Sequence, residues 1–391
     1  MGDFRYVIVG GGMAADAACR GIRDLDPDGL IALVGDEREA PYARPPLSKG
    51  LWQGKEEDTV RRGTAELGVE LHMGRRVVEL DLDGRLVVDD AGEAYGYERL
   101  LLATGGRPRR VAAWGDSVIY FRTLADYRHL RGVAKKGARF VVIGGGFIGS
   151  EIAAALSATG GEITLVFPEH GIGARLFPAE LSEFVSDYYR EQGVEVLADE
   201  LVEGVDDGVV RLGGGRTIGA DAVVAGLGIE PATELAASVR LPVDDGIIVD
   251  ELGRVGGRDE VFAAGDVARF PATALGKLVR VEHEDHANSH GRAVGANMAG
   301  ANAPYDHLPF FYSDLFELGY EAVGEVDARL ETVAEWADPG SFGKGVVAYL
   351  DGQNRPRGFL LWDVWGKVDA ATALIAAREP LDDGALASLL Q

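Results

Sequence analysis

A short apolar strand running into three glycines and then into a run of small residues occurs twice, at residues 6–15 and again at 140–149, and after residue 309 the chain shifts to short, aromatic-rich strands. These observations predict an α/β chain: two Rossmann-like dinucleotide-binding domains followed by a C-terminal α+β domain. In the first run, Gly10 lets the chain turn sharply off the strand, Gly12 lets backbone N–H groups approach a pyrophosphate, and the small residues after Met13 and Ala14 let the helix pack closely on the sheet. The helix N-terminus then faces the anion. Gly144, Gly145 and Gly146 repeat this syntax ahead of Phe147 and Ile148, so two dinucleotides are expected.

The bulk properties exclude several classes. A chain of 391 residues, 47% hydrophobic, fits two or three domains, and no apolar run is long enough to span a bilayer. With 63 acidic against 39 basic residues the net charge is −24, which argues against a nucleic-acid partner. The single cysteine, Cys19, excludes an intramolecular disulfide and reads as a small core residue on the first helix. A strand starting within a few residues of Met1 leaves no room for a signal peptide, so a cytoplasmic location is expected.

Taken in order, a second strand at 30–34 ends in Gly35-Asp36-Glu37, where a carboxylate, Asp36 or its neighbour Glu37, suits a ribose diol. The proline-stiffened loop 41–49 presents Arg44 and Lys49 at fixed positions for an anionic cofactor. Asp83-Gly84 joins two alternating runs, 76–82 and 85–88, as a hairpin. A third strand at 99–103 leads into a Gly/Pro-rich crossing at 104–109. In the second domain a helix is expected around 126–133, a small-residue helix at 150–159, and a strand from 163 that ends at Glu169. That acid accepts from an adenosine 2′-hydroxyl and repels a 2′-phosphate, favouring NADH, although Arg175 lies only six residues on. An amphipathic helix at 179–192 and a strand opening at 222 close this domain. Val261 to Asp266 is a buried strand ending in an acid suited to a ribityl chain or to a plain turn. The helix 282–298 places His283, His286 and His290 on one face, a spacing that admits a metal, but the nucleotide framework favours a helix N-terminus aimed at a cofactor, and no metal is assigned. Strands at 310–314, 320–324, 345–350 and 359–362 and a last helix at 368–378 complete the chain.

The Pro-Tyr-x-Arg-Pro-Pro-Leu-Ser-Lys loop at 41–49 and Gly-Gly-Gly-Phe-Ile-Gly-Ser-Glu at 144–151 resemble the two-dinucleotide flavoprotein reductases of the glutathione-reductase fold. Phe167-Pro168-Glu169, Glu282-His283, Ser313-Asp314-Leu315 and Gly319-Tyr320-Glu321-Ala322 are similar to the apoptosis-inducing-factor-like branch. The resemblance implies an FAD domain at 1–109 and 229–308, an NAD domain at 110–228 and a C-terminal domain at 309–391. It implies FAD contacts at Gly10, Gly12, Met13, Ala14, Asp36, Arg44, Lys49, the backbone of Val77, Arg122, Asp266, His283 and Glu284. NADH contacts are implied at Gly145, Gly146, Phe147, Ile148, Glu169, Arg175, Gly228, Glu282, Glu321 and Asp363. Lys49 and Glu151 are expected to pair near the flavin N5. Tyr312 stands where the family has Trp and is expected against the nicotinamide or flavin, and Asp363 stands where it has Asn. The implied activity is an FAD-dependent NADH oxidoreductase serving a quinone-like or other small acceptor. A ferredoxin or rubredoxin reductase and an NADH-sensing redox module are the alternatives, and a homodimer is left open.

Overall fold

The computed structural model describes residues 2–391, which fall into two compact units. The first comprises the residues up to Ala43, Glu57–Arg107 and Glu230–Pro309. Among the described residues it carries a seven-stranded sheet. Strands Glu70–Met73, Ile31–Gly35, Gly2–Val9 and Ala94–Leu102 lie parallel in that order, with Val261–Ala263 added beside Leu100 to Leu102. Tyr6 to Val9 and Leu100 to Leu102 are buried throughout, as continuous apolar runs are in a parallel sheet covered on both faces. The strand at 94–102 begins earlier than its apolar run, because its first residues pair antiparallel with Leu86–Asp89, which pairs in turn with Val77–Asp81.

Helix Met13–Arg23 packs against helix Glu284–Met298 at backbone distance. A Cβ on Gly295 would sit 2.1 Å from the Ala18 carbonyl oxygen and one on Gly291 2.5 Å from that of Ala14, so only glycine permits the approach. Buried in the same helix, Asp16 accepts from Arg62 Nε at 2.6 Å, Thr64 Oγ1 at 2.7 Å and Arg20 Nε at 3.0 Å. Burial pushes this carboxyl up, but the hydrogen bonds from Arg20, Thr64 and Arg62 outweigh it and leave it below the usual carboxylate value.

The second unit comprises Arg44–Glu56, Pro108–Ile229 and Phe310–Gln391. Its parallel sheet runs Glu195–Leu197, Glu162–Val166, Arg139–Ile143, Ala222–Ala225, Val118–Tyr120, with a small antiparallel sheet at 202–219. The C-terminal strands form an antiparallel sheet ordered Phe310–Leu315, Leu318–Gly324, Pro356–Trp362, Gly345–Leu350, Glu331–Trp336. The α/β class with two Rossmann-like regions and a C-terminal α+β part is therefore observed. Two elements correct the sequence reading. Strand Glu331–Trp336 is an edge strand, mostly exposed and so without an apolar pattern. Helix Val368–Ala377 stops at Arg378 with φ +55°, and it is not the last, because the short helix Ala385–Leu390 follows and buries Leu386 and Leu389.

Asp16 gives a stability prediction with a defined sign. Its folded pKa is depressed, so its contribution is complete above the unfolded value and is lost as pH falls through the folded one. Asp16→Asn leaves the half-buried Arg20 and Arg62 guanidinium groups without their carboxylate and should cost about 1–3 kcal/mol in urea unfolding at neutral pH. The gap from wild type should narrow once pH falls below about 4.

Candidate active site

Both glycine runs form the same cradle. Gly10 and Gly144 leave their strands at φ +128° and +112°, where a Cβ would lie 2.1 Å from the Ala103 oxygen and 2.4 Å from the Gly226 oxygen respectively. Two residues on, Gly12 and Gly146 cap helices Met13–Arg23 and Phe147–Ala158 in extended backbone, and a Cβ on either would meet nothing within 4 Å. That open volume at a helix N-terminus, walled by glycine backbone, suits a pyrophosphate and fits the dinucleotides that the sequence implies.

In the first unit, Met13 and Ala14 are buried behind the cradle, and Gly265 approaches so closely that a Cβ there would lie 2.6 Å from the Ala14 Cβ. Asp36 is exposed at the end of its strand, whereas the Glu37 carboxylate accepts from the Tyr42 hydroxyl at 2.5 Å, so of the two acids Asp36 is the one presented at the strand tip. Val77 opens the hairpin strand opposite Asp89. Asp266 lies in the turn Gly265–Val267 directly after strand Val261–Ala263, His283 caps helix Glu284–Met298, and Glu284 occupies its first turn. Glu282 is held by Arg280 Nη1 at 2.6 Å. His286 and His290 turn into the core, where His286 stacks on Phe270 at 4.8 Å and burial lowers its imidazole to about 4. Among the described residues no cluster of three or more His, Cys, Asp or Glu side chains could hold a metal ion.

The second unit gathers the charged chemistry. Pro45 and Pro46 start a tight turn, Pro45–Leu47, whose far side is pinned when Trp52 Nε1 donates to the Leu47 oxygen at 2.7 Å and the Trp52 ring packs edge-on against Tyr127 at 5.4 Å. This fixes the loop that carries Arg44 and Lys49. Arg44 Nη1 donates to the Arg122 carbonyl at 3.0 Å. Lys49 Nζ lies 2.8 Å from Glu151 Oε1, with side-chain exposures of 15% and 7%. Ser48 Oγ donates to Glu151 Oε2 and Ser313 Oγ to Oε1, both at 2.6 Å. The Tyr312 ring is 40% exposed and lies 4.8 Å from Lys49 Nζ, and Asp314 Oδ2 is 4.0 Å from the same ammonium. Glu321 is opposite Tyr312 in the sheet, and its Oε2 accepts from the Gly366 N–H at 3.3 Å. Asp363 holds φ +51° at the strand end, with its N–H on the Gly319 oxygen at 2.9 Å. At the second cradle Gly145 faces the Phe167 ring, Phe147 packs edge-on against Phe311 at 5.3 Å, and Ile148 is exposed. Glu169 Oε1 accepts from Arg175 Nη2 at 2.7 Å, and Gly228 at φ +79° takes the Arg109 N–H at 2.9 Å. Ser48 and Ser313 were not among the residues the sequence reading assigned to the site, although both sit inside the stretches that carry the resemblance.

A family model for pyridine nucleotide-disulphide oxidoreductases matches residues 4–291, which contain both cradles. The chain belongs to this family. A second model, for the mitochondrion-associated C-terminal part of apoptosis-inducing factor, matches residues 294–341. Among similar proteins, apoptosis-inducing factor 1 of Dictyostelium discoideum is 35% identical over 97% of this chain and 80% of its own length. The ferredoxin–NAD(+) reductase component of the anthranilate 1,2-dioxygenase system of Burkholderia cepacia is 34% identical over 98% of this chain and 96% of its own. The reductase fold in the covalent putidaredoxin reductase–putidaredoxin complex superposes with a TM-score of 0.90 at 29% identity, covering 100% of this chain and 96% of that one. The protein is thus an FAD-dependent NAD(P)H oxidoreductase of the apoptosis-inducing-factor-like and ferredoxin-reductase-like group. It works without the redox disulfide of the family's name, because its one cysteine, Cys19, is buried in the first helix and burial raises its thiol pKa. Among the described residues no helix is long and apolar enough to cross a membrane.

The cradle geometry separates scaffold from contact. Gly12→Ala has ordinary backbone angles and free space, so its unfolding midpoint without cofactor should stay at wild type, while FAD affinity falls about tenfold or more with the loss of a charge-assisted N–H contact. Gly10→Ala should fail both tests, because its Cβ collides with the backbone. Cofactor titration by fluorescence together with urea melts separates the two outcomes.

Proposed function

We propose that the protein is an NADH oxidoreductase that delivers electrons to a quinone-like or other small acceptor, working in the cytoplasm. FAD, when bound, supplies the hydride acceptor at N5 and stores the electron pair. The observation that carries the reading is the buried Lys49–Glu151 pair at 2.8 Å, on the loop and the helix that carry the cofactor-type signatures. Lys49 holds an ammonium where negative charge develops, and Glu151 orients it. Asp36, Arg44, Arg122, Asp266 and the His283–Glu284 turn hold the flavin nucleotide. Gly145 to Ile148, Glu169, Gly228, Glu321 and Asp363 hold NADH, with Tyr312 beside the nicotinamide.

The surface next to Lys49 favours an acceptor that is not acidic. Asp314 is 55% exposed beside the ammonium, and Glu321 lies across from Tyr312 on the same sheet face. A strongly acidic redox protein meets repulsion there as well as from the net charge of −24. The second reading, a reductase for a ferredoxin-like protein, is favoured by the near-complete coverage of the Burkholderia reductase component. Arg107 and Arg110 are weak docking candidates for it, since Arg107 pairs with Glu234 at 2.9 Å and Arg110 stacks on Tyr120 at 4.7 Å.

The purified protein should show a flavin spectrum that NADH bleaches without air. Lys49→Ala should keep FAD and slow bleaching about 100-fold or more, the scale expected when one preorganised donor is removed. NADH should exceed NADPH in kcat/KM, and Arg175→Ala should widen the gap by removing the cation that Glu169 now holds. In acceptor assays, quinone reduction should be fast and nearly independent of salt, while ferredoxin reduction should be slow and rise with ionic strength. Fast ferredoxin reduction that salt suppresses promotes the second reading.

A further inference from the structure

Glu151 is 6% exposed, and its carboxylate is met by more donors than its ion pair requires. Lys49 Nζ and Ser313 Oγ share Oε1 at 2.8 and 2.6 Å, and Ser48 Oγ takes Oε2 at 2.6 Å. Neither serine has another strong use for its proton. The alternative acceptor for Ser48 is the Pro45 carbonyl at 3.4 Å, a poor competitor for a carboxylate at 2.6 Å. Ser313 is fully buried and also hydrogen-bonded to the Tyr320 hydroxyl. With its single proton on Glu151, Ser313 must accept from Tyr320. Burial and the nearby Glu151 charge keep the Tyr320 proton in place.

We propose that Ser48 and Ser313 are positioning residues that clamp Glu151 by its two oxygens and so fix the direction in which Lys49 presents its ammonium during hydride transfer. The terminal torsion of a glutamate is broad and roughly two-fold, so an ammonium alone leaves either oxygen free to take the contact. With Oε2 held by the 44–56 loop and Oε1 by strand Phe310–Leu315, the carboxylate plane is set by two segments that do not belong to its own helix. Alanine at 48 removes that constraint and leaves Oε2 short of a partner in a buried place, and alanine at 313 leaves Oε1 to the ammonium alone. The role rests on the function proposed above.

The test uses the FAD-loaded enzyme with Ser48→Ala, Ser313→Ala and Glu151→Gln, singly and with each serine change combined with Glu151→Gln. Bleaching by NADH is followed by rapid mixing over a range of NADH concentrations, the flavin midpoint potential by dye equilibration, and stability by urea unfolding. Each serine variant should keep FAD, slow bleaching about tenfold, the scale of one hydrogen bond to a charged group, and leave the half-saturating NADH concentration within about twofold. The potential should shift in the same direction in both variants, and in the Glu151→Gln background the kinetic loss and the potential shift should vanish, because the serines act through that carboxylate. Undiminished effects in the Glu151→Gln background overturn the proposal, as do wild-type rates and potentials in both serine variants. If one serine variant does not fold by the urea criterion, the other decides. The wild-type spectrum separates the two levels of the claim. A wild type that NADH does not bleach overturns the function and this role together, whereas a bleached wild type with unaffected serine variants overturns the clamp alone.

Discussion

A buried carboxylate, Glu151, is the constraint on which the second unit depends. Burying an ionised group is costly unless charge and hydrogen bonds replace water, and breaking one half of such a pair costs more than the pair gains. The replacements come from far along the chain: Ser48 is 103 residues upstream and Ser313 is 162 downstream. Helix Phe147–Ala158 therefore does not satisfy this carboxylate by itself. The loop Arg44–Glu56 and the strand Phe310–Leu315 must both reach it, and these are the segments that join 108–229 in one compact unit. The carboxylate is one of several ties between these segments, alongside the Tyr349 hydroxyl on the Leu176 oxygen at 2.6 Å and Phe177 packed edge-on against Trp362 at 5.5 Å.

The first unit solves a different problem, the close approach of two helices. Gly21, Gly291 and Gly295 let Met13–Arg23 and Glu284–Met298 meet backbone to backbone; a Cβ on Gly21 would lie 2.0 Å from the Arg292 oxygen. Such contact brings the cap of one helix and the first turn of the other into one neighbourhood, with the Gly265–Val267 turn packed on Ala14. Asp16 then ties that helix to Arg62 and Thr64. The helix contact thus rests on small residues and one polar network, beside a core of large side chains such as Tyr6, Ile22 and Phe262.

What could be read from sequence follows from how local each signal is. A glycine turn acts within a few residues, so both cradles were legible, and Asp83-Gly84 marked a hairpin that forms as Val77–Asp81 against Leu86–Asp89. The Lys49–Glu151 pair came only through resemblance, since nothing local to either residue names the other. Ser48 and Ser313 were beyond reach for a physical reason: a serine before a lysine or an aspartate looks like any turn or strand residue until the fold delivers a carboxylate to it. Asp16 is fully buried, and two of the groups that meet its charge, Arg62 and Thr64, lie more than forty residues away, so no local signal marks its burial. Edge strand Glu331–Trp336 carries no apolar alternation because water, not a core, faces most of it.

The clamp also changes what Lys49 can contribute. Its ammonium is compensated by Glu151 at 2.8 Å and borders Asp314 at 4.0 Å, so the group does not act as a free positive charge. It acts as one end of an oriented dipole, with Glu151 behind it and the face of Tyr312 at 4.8 Å on the exposed side. A preorganised dipole stabilises developing charge without having to reorient, and its effect depends on direction more than on magnitude. A mobile lysine with the same charge would be free to turn toward Asp314 and water. Holding the carboxylate by both oxygens is therefore what turns an ordinary ion pair into a directional one, and it is the reason for two hydroxyls at a place where neutralising the charge needs only the lysine.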